Sequence, residues 1–315
     1  MTAGTREAAG PEVAGEKHGA FVVEVPATSA NVGVGFDCLG LALDLVARFR
    51  FEPADALLID GCLEKFRGED NLVWTSYLEA CRRMYTRPCP LHITIDSPIP
   101  LSGGLGSSSA CVVAGVVAAQ VLHGNGLCAA AALDVACALE GHPDNVAPAL
   151  MGGLVSSYVD GHRTHSVRFD VSPRWSFVAI APPYEVRTAD ARKVMPKEVS
   201  TSTCVWQMGH LVATVHALES GDADLLTTSC QDLLHEPYRS ALIADYEPLR
   251  RTALAAGATA YVISGSGSTM LAICESPELA ARVAAAVQGM VENHIEGLWV
   301  RVLGARTQGA VVVEG

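Results

Sequence analysis

The sequence has 315 residues, 22 Lys+Arg against 34 Asp+Glu for a formal charge of −12, and 50% hydrophobic residues. That content supports a sizeable core, one large domain or two, and argues against an intrinsically disordered chain. The acidic balance, with no Lys/Arg-rich block, argues against nucleic acid or an anionic membrane as a partner, so any phosphate must be bound by local groups.

Residues 1–19 are Gly, Ala and charge without periodicity and read as a flexible tail. They lack the apolar segment of a secretory signal, so the chain is expected to be soluble and cytoplasmic. Phe21-Val22-Val23-Glu24-Val25 reads as the first strand, stopped by Pro26, with a polar loop from Ala27 to Gly35 and an apolar segment through Leu45. Leu91 to Asp96 alternates as a strand and ends at Ser97-Pro98. A Gly/Ser loop, 102–109, then opens into the apolar run Ala110 to Ala119, which reads as a buried helix. The longest apolar stretch, Ala110 to Leu122, is interrupted by Gln120 and is too short to span a bilayer. Ala129 to Glu140 reads as a second helix, ended by Gly141 and Pro143. Helical segments are expected near 205–219, 222–234 and 277–290, and strands at 176–181, 259–264, 269–274 and 298–303. This alternation predicts an α+β protein in two layers. The ten cysteines form no C-x-x-C pair and no disulfide framework; Cys111, Cys137 and Cys274 read as small buried hydrophobes.

Three short G-x-G elements stand out: Gly33-Val34-Gly35, Gly104-Leu105-Gly106 and Gly265-Ser266-Gly267. None completes G-x-G-x-x-G, none is followed by the Lys-Ser/Thr of a P-loop, and the protein-kinase H-R-D and D-F-G marks are absent. The middle loop, Ile99-Pro100-Leu101-Ser102-Gly103-Gly104-Leu105-Gly106-Ser107-Ser108-Ser109-Ala110, runs from a strand directly into an apolar helix. Its glycines allow close backbone approach, and the helix start adds unpaired N–H donors and partial positive charge. Together they make a phosphate cradle that needs no lysine. A serine at the helix start can cap the helix or ligate Mg²⁺.

The middle loop resembles the ATP loop of the GHMP superfamily of small-molecule kinases. Pro26 to Asp37 (P-A-T-S-A-N-V-G-V-G-F-D) resembles the first motif in its homoserine kinase form, and Ile263 to Thr269 the third. Glu140 to Pro148 (E-G-H-P-D-N-V-A-P), Arg187 to Arg192 and His235 to Arg239 match further motifs of the same family in order and spacing. The resemblance extends from about residue 21 to the C-terminus. It implies a ribosomal-protein-S5-like ATP-binding unit over 20–165 and a ferredoxin-like unit over 166–315, with the site between them. It also implies ATP-dependent phosphorylation of the L-homoserine side-chain hydroxyl in threonine biosynthesis, with Mg²⁺, in a homodimer.

By the same resemblance, Arg192 and Arg239 clamp the substrate carboxylate with Thr188 nearby, Asp37 takes the ammonium, and Asn31 and His142 complete the polar lining. Guanidinium forks suit a carboxylate, and a buried ammonium needs an opposite charge. Asn145 is expected to hold the reacting hydroxyl, in a catalytic role shared with Asp37. ATP is expected on residues 100–109 (Pro100, Leu101, Ser102, Gly103, Gly104, Leu105, Gly106, Ser107, Ser108, Ser109) with Gly265 and Gly267. For Mg²⁺ the expected pair is Ser108 and Asp134, with Ser107 and Glu140 as the competing serine and carboxylate. No general base is evident, which points to direct attack of the hydroxyl on the γ-phosphorus. Two rivals stay open: a GHMP kinase for another acid or alcohol, such as mevalonate or shikimate, and a silent relative that senses ATP or an amino acid. The paired arginines with Asp37 favour a zwitterion over a plain hydroxy acid.

Overall fold

Strand β1 (Phe21–Ala30) starts with alternating buried and half-buried side chains, then runs on fully buried to Ala30. Pro26 does not stop it. The ladder with β2 (Leu39–Pro53) shifts register between Pro26 and Ala27, and such an irregularity tolerates a residue without an N–H. The chain continues through β3 (Leu58–Asp60), α1 (Leu72–Arg83), β4 (Leu91–Asp96), α2 (Ser107–His123), α3 (Ala129–Glu140), α4 (Pro143–Met151), β5 (Leu154–Asp160) and β6 (Arg163–Phe169). The computed structural model describes residues 19–101, 103–124, 128–290 and 295–314; nearly all of the expected tail, 1–18, lies outside the described residues.

The second half comprises β7 (Ser176–Ala181), α5 (Thr188–Lys193), α6 (Thr201–Ser220), α7 (Ala223–Ser229), α8 (Glu236–Arg239), α9 (Tyr246–Ala255), β8 (Ala260–Ile263), β9 (Met270–Cys274), α10 (Pro277–Gln288), β10 (Trp299–Leu303) and β11 (Val311–Glu314). The first sheet has seven strands in the order β11-β1-β2-β4-β3, with β5 and β6 branching from β2. The length of β2 permits the branch: Leu39–Leu41 pairs with β5, and 48–53 pairs with β4. Helix α2, buried on nearly every side, packs against α1, α3, α4 and β1. The second sheet runs β10-β7-β9-β8, all antiparallel, and α9 and α10 pack against its strands. Counted along the chain, that order is fourth, first, third, second, the arrangement of a ferredoxin-like unit.

The two units are not consecutive blocks. The expected boundary at 165 and 166 falls inside β6, which pairs with β5 along its whole length. The last strand, β11, returns to pair antiparallel with β1. No helix among the described residues is long and apolar enough to cross a membrane.

Candidate active site

The three glycine loops, distant in sequence, are hydrogen-bonded into one body. Thr28 N donates to Leu105 O, Gly265 N to Ala30 O and Thr269 N to Gly103 O. Ser264 Oγ donates to Gly104 O at 2.6 Å and lies 2.8 Å from Ser29 Oγ. Two glycines are obligatory at this junction. A Cβ on Gly104 (φ +88) would lie 2.3 Å from Ser264 O, and one on Gly106 (φ +69) would lie 2.0 Å from Thr28 Oγ1. The third loop therefore presses directly on the loop that opens α2.

The loops border a cleft of about 460 Å³ lined from both halves of the chain. Its polar lining includes Asp37, His142, Asp144, Asn145, Thr188, Arg192 and Arg239. Asp37, in the left-handed region (φ 56), meets Arg192 in a bidentate pair with both contacts at 3.0 Å. Arg239 is 3% exposed; its Nη1 donates to Gly265 O at 2.9 Å, and its Nε has no partner among the described residues. Burial, only partly offset by the attraction of Asp37, holds the Arg239 guanidinium below its usual range. It remains a cation, since arginine starts so high. Thr188 Oγ1 donates to Ser266 Oγ at 3.4 Å.

Asn31 lines the cleft, but both its polar atoms are engaged within the protein. Its Oδ1 accepts from Asp37 N and its Nδ2 donates to Gly265 O. It clips the first loop to the third rather than presenting a free amide. Asn145 Oδ1 accepts from Thr28 Oγ1 at 2.7 Å. His142 and Asp144 share a short hydrogen bond through Nδ1. Burial pulls the His142 imidazole down, but the Asp144 hydrogen bond and the charges of Asp144, Glu140 and Asp37 outweigh it, and the net shift is upward. Sequence reasoning did not single out Asp144, although it lies two residues past His142 in the same motif.

A network built on buried Asp232 and His235 holds α8. Asp232 Oδ2 accepts the N–H groups of Leu234, His235 and Glu236, and its Oδ1 accepts from Gln207 Nε2. Glu236 Oε1 accepts from Ile263 N at 2.6 Å, and burial pushes its carboxyl up from 4.5 to about 8. Between those values the folded chain holds a proton that the unfolded chain releases. The stability contributed by neutral Glu236 is therefore full in acid and lost as pH rises through about 8. The Glu236→Gln variant, neutral throughout, should gain melting temperature over the parent between pH 6 and 9, by about 2–4 °C for each kcal/mol of difference. Thermal melts across that range check it, and a constant gap would contradict it.

At the head of α2 the three serines separate. Ser107 and Ser108 line the cleft, whereas Ser109 is fully buried and its Oγ has no partner among the described residues. Ser108 Oγ donates to Glu140 Oε2 at 3.0 Å. Asp134, the carboxylate expected beside Ser108, is elsewhere: its Oδ1 accepts from Thr164 N on β6 at 2.6 Å. Six residues turn an α-helix by about 600°, so the two carboxylates project roughly 120° apart and point to different neighbours. The carboxylate beside Ser108 is therefore Glu140, the competing candidate, and not the expected Asp134. Of the ATP residues expected, Leu101, Gly103, Gly104, Gly106, Ser107, Ser108 and Gly265 line the cleft. Leu105 and Ser109 are packed inside instead, Pro100 and Gly267 are not part of the lining, and Ser102 lies outside the described residues.

The lining also includes the apolar side chains of Phe66, Leu72, Ile95, Leu101 and Cys111, together with Asn71. Apart from Leu101, sequence reasoning did not single out these residues for the site. The one local signal was Asn71, which caps α1 by accepting from Val73 N at 2.9 Å.

Residues 71–153 match the GHMP kinases N terminal domain and residues 214–293 match GHMP kinases C terminal. A homoserine kinase of Clostridium beijerinckii is 37% identical over 299 residues, covering 94% of this chain and 99% of the relative. One from Microchaete diplosiphon is 39% identical over 298 residues, covering 91% and 95%. Among solved structures, the homoserine kinase of Cytophaga hutchinsonii aligns with a TM-score of 0.85 at 33% identity, covering 95% of this chain and 99% of that one. A mevalonate kinase aligns at 0.70 with 12% identity, a likeness of fold alone. With that identity sustained over nearly its whole length, the chain belongs to the homoserine kinase family of GHMP kinases.

Proposed function

We propose that the protein transfers the γ-phosphoryl group of ATP to the side-chain hydroxyl of L-homoserine, giving ADP and O-phospho-L-homoserine for threonine biosynthesis. The observation that carries this reading is the Asp37–Arg192 pair beside buried Arg239, opening onto the glycine cradle. A zwitterionic amino acid exchanges that internal pair for two equivalent ones: its carboxylate takes Arg192 and Arg239, and its ammonium takes Asp37. A hydroxy acid without the ammonium would separate Arg192 from Asp37 and leave a carboxylate uncompensated.

The N–H groups of the loop and of the first turn of α2 receive the phosphates, and the apolar lining of Phe66, Leu72, Ile95 and Cys111 receives the base. The oxygens of Ser108 and Glu140, side by side at the head of α2, fit Mg²⁺, which needs only one or two protein ligands when phosphates complete its shell. When bound, the ion neutralises phosphate charge. The homoserine hydroxyl attacks the γ-phosphorus in line as the bond to the β,γ-bridging oxygen breaks, and its proton leaves on a phosphoryl oxygen. Asn145, its Oδ1 occupied by Thr28, offers Nδ2–H to the hydroxyl oxygen, while Asp37 fixes the other end of the substrate. Glu140→Gln should raise the Mg²⁺ concentration for half-maximal rate by about tenfold or more, and Asp134→Asn should not. A magnesium titration of both variants checks this.

A coupled assay of ADP release with L-homoserine, L-threonine, mevalonate and shikimate tests the assignment. Turnover should be greatest with L-homoserine. Turnover with mevalonate or shikimate and none with L-homoserine would overturn it. The homodimer belongs to the same reading, and light scattering of the purified protein checks it.

A further inference from the structure

Phe36 precedes Asp37 in the first loop, and side chains from the second half of the chain converge on its ring. The guanidinium carbon of Arg239 lies 4.8 Å from the ring centroid and that of Arg192 lies 6.0 Å away. The His235 ring stacks on it with centroids 5.3 Å apart and planes at 28°. His235 is a fixed support. It is fully buried, its Nε2 donates to Gly33 O at 2.6 Å, and its N–H is held by Asp232. Burial pulls its imidazole down, so a neutral ring stacks on Phe36 and adds no third cation.

Two guanidiniums that must meet one carboxylate repel each other, and the repulsion of Arg192 is among the influences that lower Arg239. A second protein carboxylate on Arg239, added to the Asp37 that already pairs with Arg192, would occupy the donors the substrate needs. An aromatic ring attracts cations through its quadrupole and takes up no hydrogen-bond donor. Phe36 lies near both arginines, and the pairing of Arg192 with the adjacent Asp37 keeps the second guanidinium in place until substrate arrives.

Resting on the homoserine reading above, we propose that Phe36 is a specificity-determining positioning residue, whose ring holds Arg239 and Arg192 in register for one substrate carboxylate. It touches no reacting atom and acts through the two arginines.

The test is steady-state kinetics of the full chain carrying Phe36→Leu, Phe36→Met or Phe36→Tyr. Two acceptors are used: L-homoserine, and 3-aminopropan-1-ol, which keeps the amine and hydroxyl but has no carboxylate. Leu and Met should each raise the KM for L-homoserine about tenfold, with kcat and the KM for ATP within about twofold of the parent. Tyr, which keeps the ring, should restore the parental KM. Turnover of 3-aminopropan-1-ol should be unchanged, so that preference for the carboxylate shrinks by the same roughly tenfold factor. The Met variant, whose flexible unbranched chain adapts to the space left by the ring, gives the answer if the Leu variant does not fold. An unchanged KM for L-homoserine in the Leu or Met variant overturns the proposal. So does an equal loss for both acceptors and for ATP, which would make Phe36 a packing residue. Failure of the parent enzyme to phosphorylate L-homoserine overturns the functional reading itself, and is seen before any variant is compared.

Discussion

Arg239→Gln is expected to lower kcat/KM for L-homoserine by about 10²–10³-fold while changing the KM for ATP by less than about threefold. The guanidinium is buried and, among the described residues, donates a hydrogen bond to Gly265 O, while Arg239 itself lines the cleft. Removing one partner of a buried charge pair costs about 2–5 kcal/mol, much of it from the charge left behind, and here that charge is the substrate carboxylate. ATP is spared because Asn31 Nδ2 also holds Gly265 O at 2.8 Å, so the third glycine loop keeps its place. Arg239→Lys should not restore activity, since a single ammonium cannot form the two-pronged contact. Steady-state kinetics with each substrate varied in turn checks this, and a loss shared equally by homoserine and ATP would contradict the assignment.

Asn145→Asp should leave the KM for L-homoserine nearly unchanged and lower kcat by about 10²–10³-fold, the usual cost of losing one donor aimed at a reacting oxygen. The side chain stays the same size and still accepts from Thr28 Oγ1, so the fold is kept and the effect is chemical. What changes is the Nδ2–H offered to the hydroxyl, replaced by a negative charge beside an incoming polyanion. Parental turnover in the Asn145→Asp variant, with an unchanged melting temperature, would remove Asn145 from the orienting role.

The parts of the molecule legible in the sequence are those written in contiguous residues. The strand at 176–181 and the helix at 129–140 are contiguous apolar runs bounded by Gly or Pro, and both match the structure end to end. The three glycine loops were legible for a related reason, because a positive φ and a close backbone approach leave little choice but glycine. What was not legible depends on partners far along the chain. Pro26 reads as a stop until β2 is seen to shift register beside it, and nothing in Val311–Glu314 announces that it will pair with β1. The choice between Asp134 and Glu140 required knowing which face of α3 meets α2 and which meets β6. The stack of His235, Phe36 and Arg239 joins positions some two hundred residues apart, and Phe36 alone reads only as the start of an apolar segment.

Direct attack by the homoserine hydroxyl, without a general base or a phosphorylated enzyme, is the central chemical claim. The most direct measurement uses ATP made chiral at the γ-phosphorus with oxygen isotopes, followed by analysis of the configuration of the phosphoryl group on the homoserine oxygen. A single in-line displacement predicts inversion. Retention would mean that an enzyme side chain carries the group between two displacements, and would contradict the direct transfer proposed for this cleft.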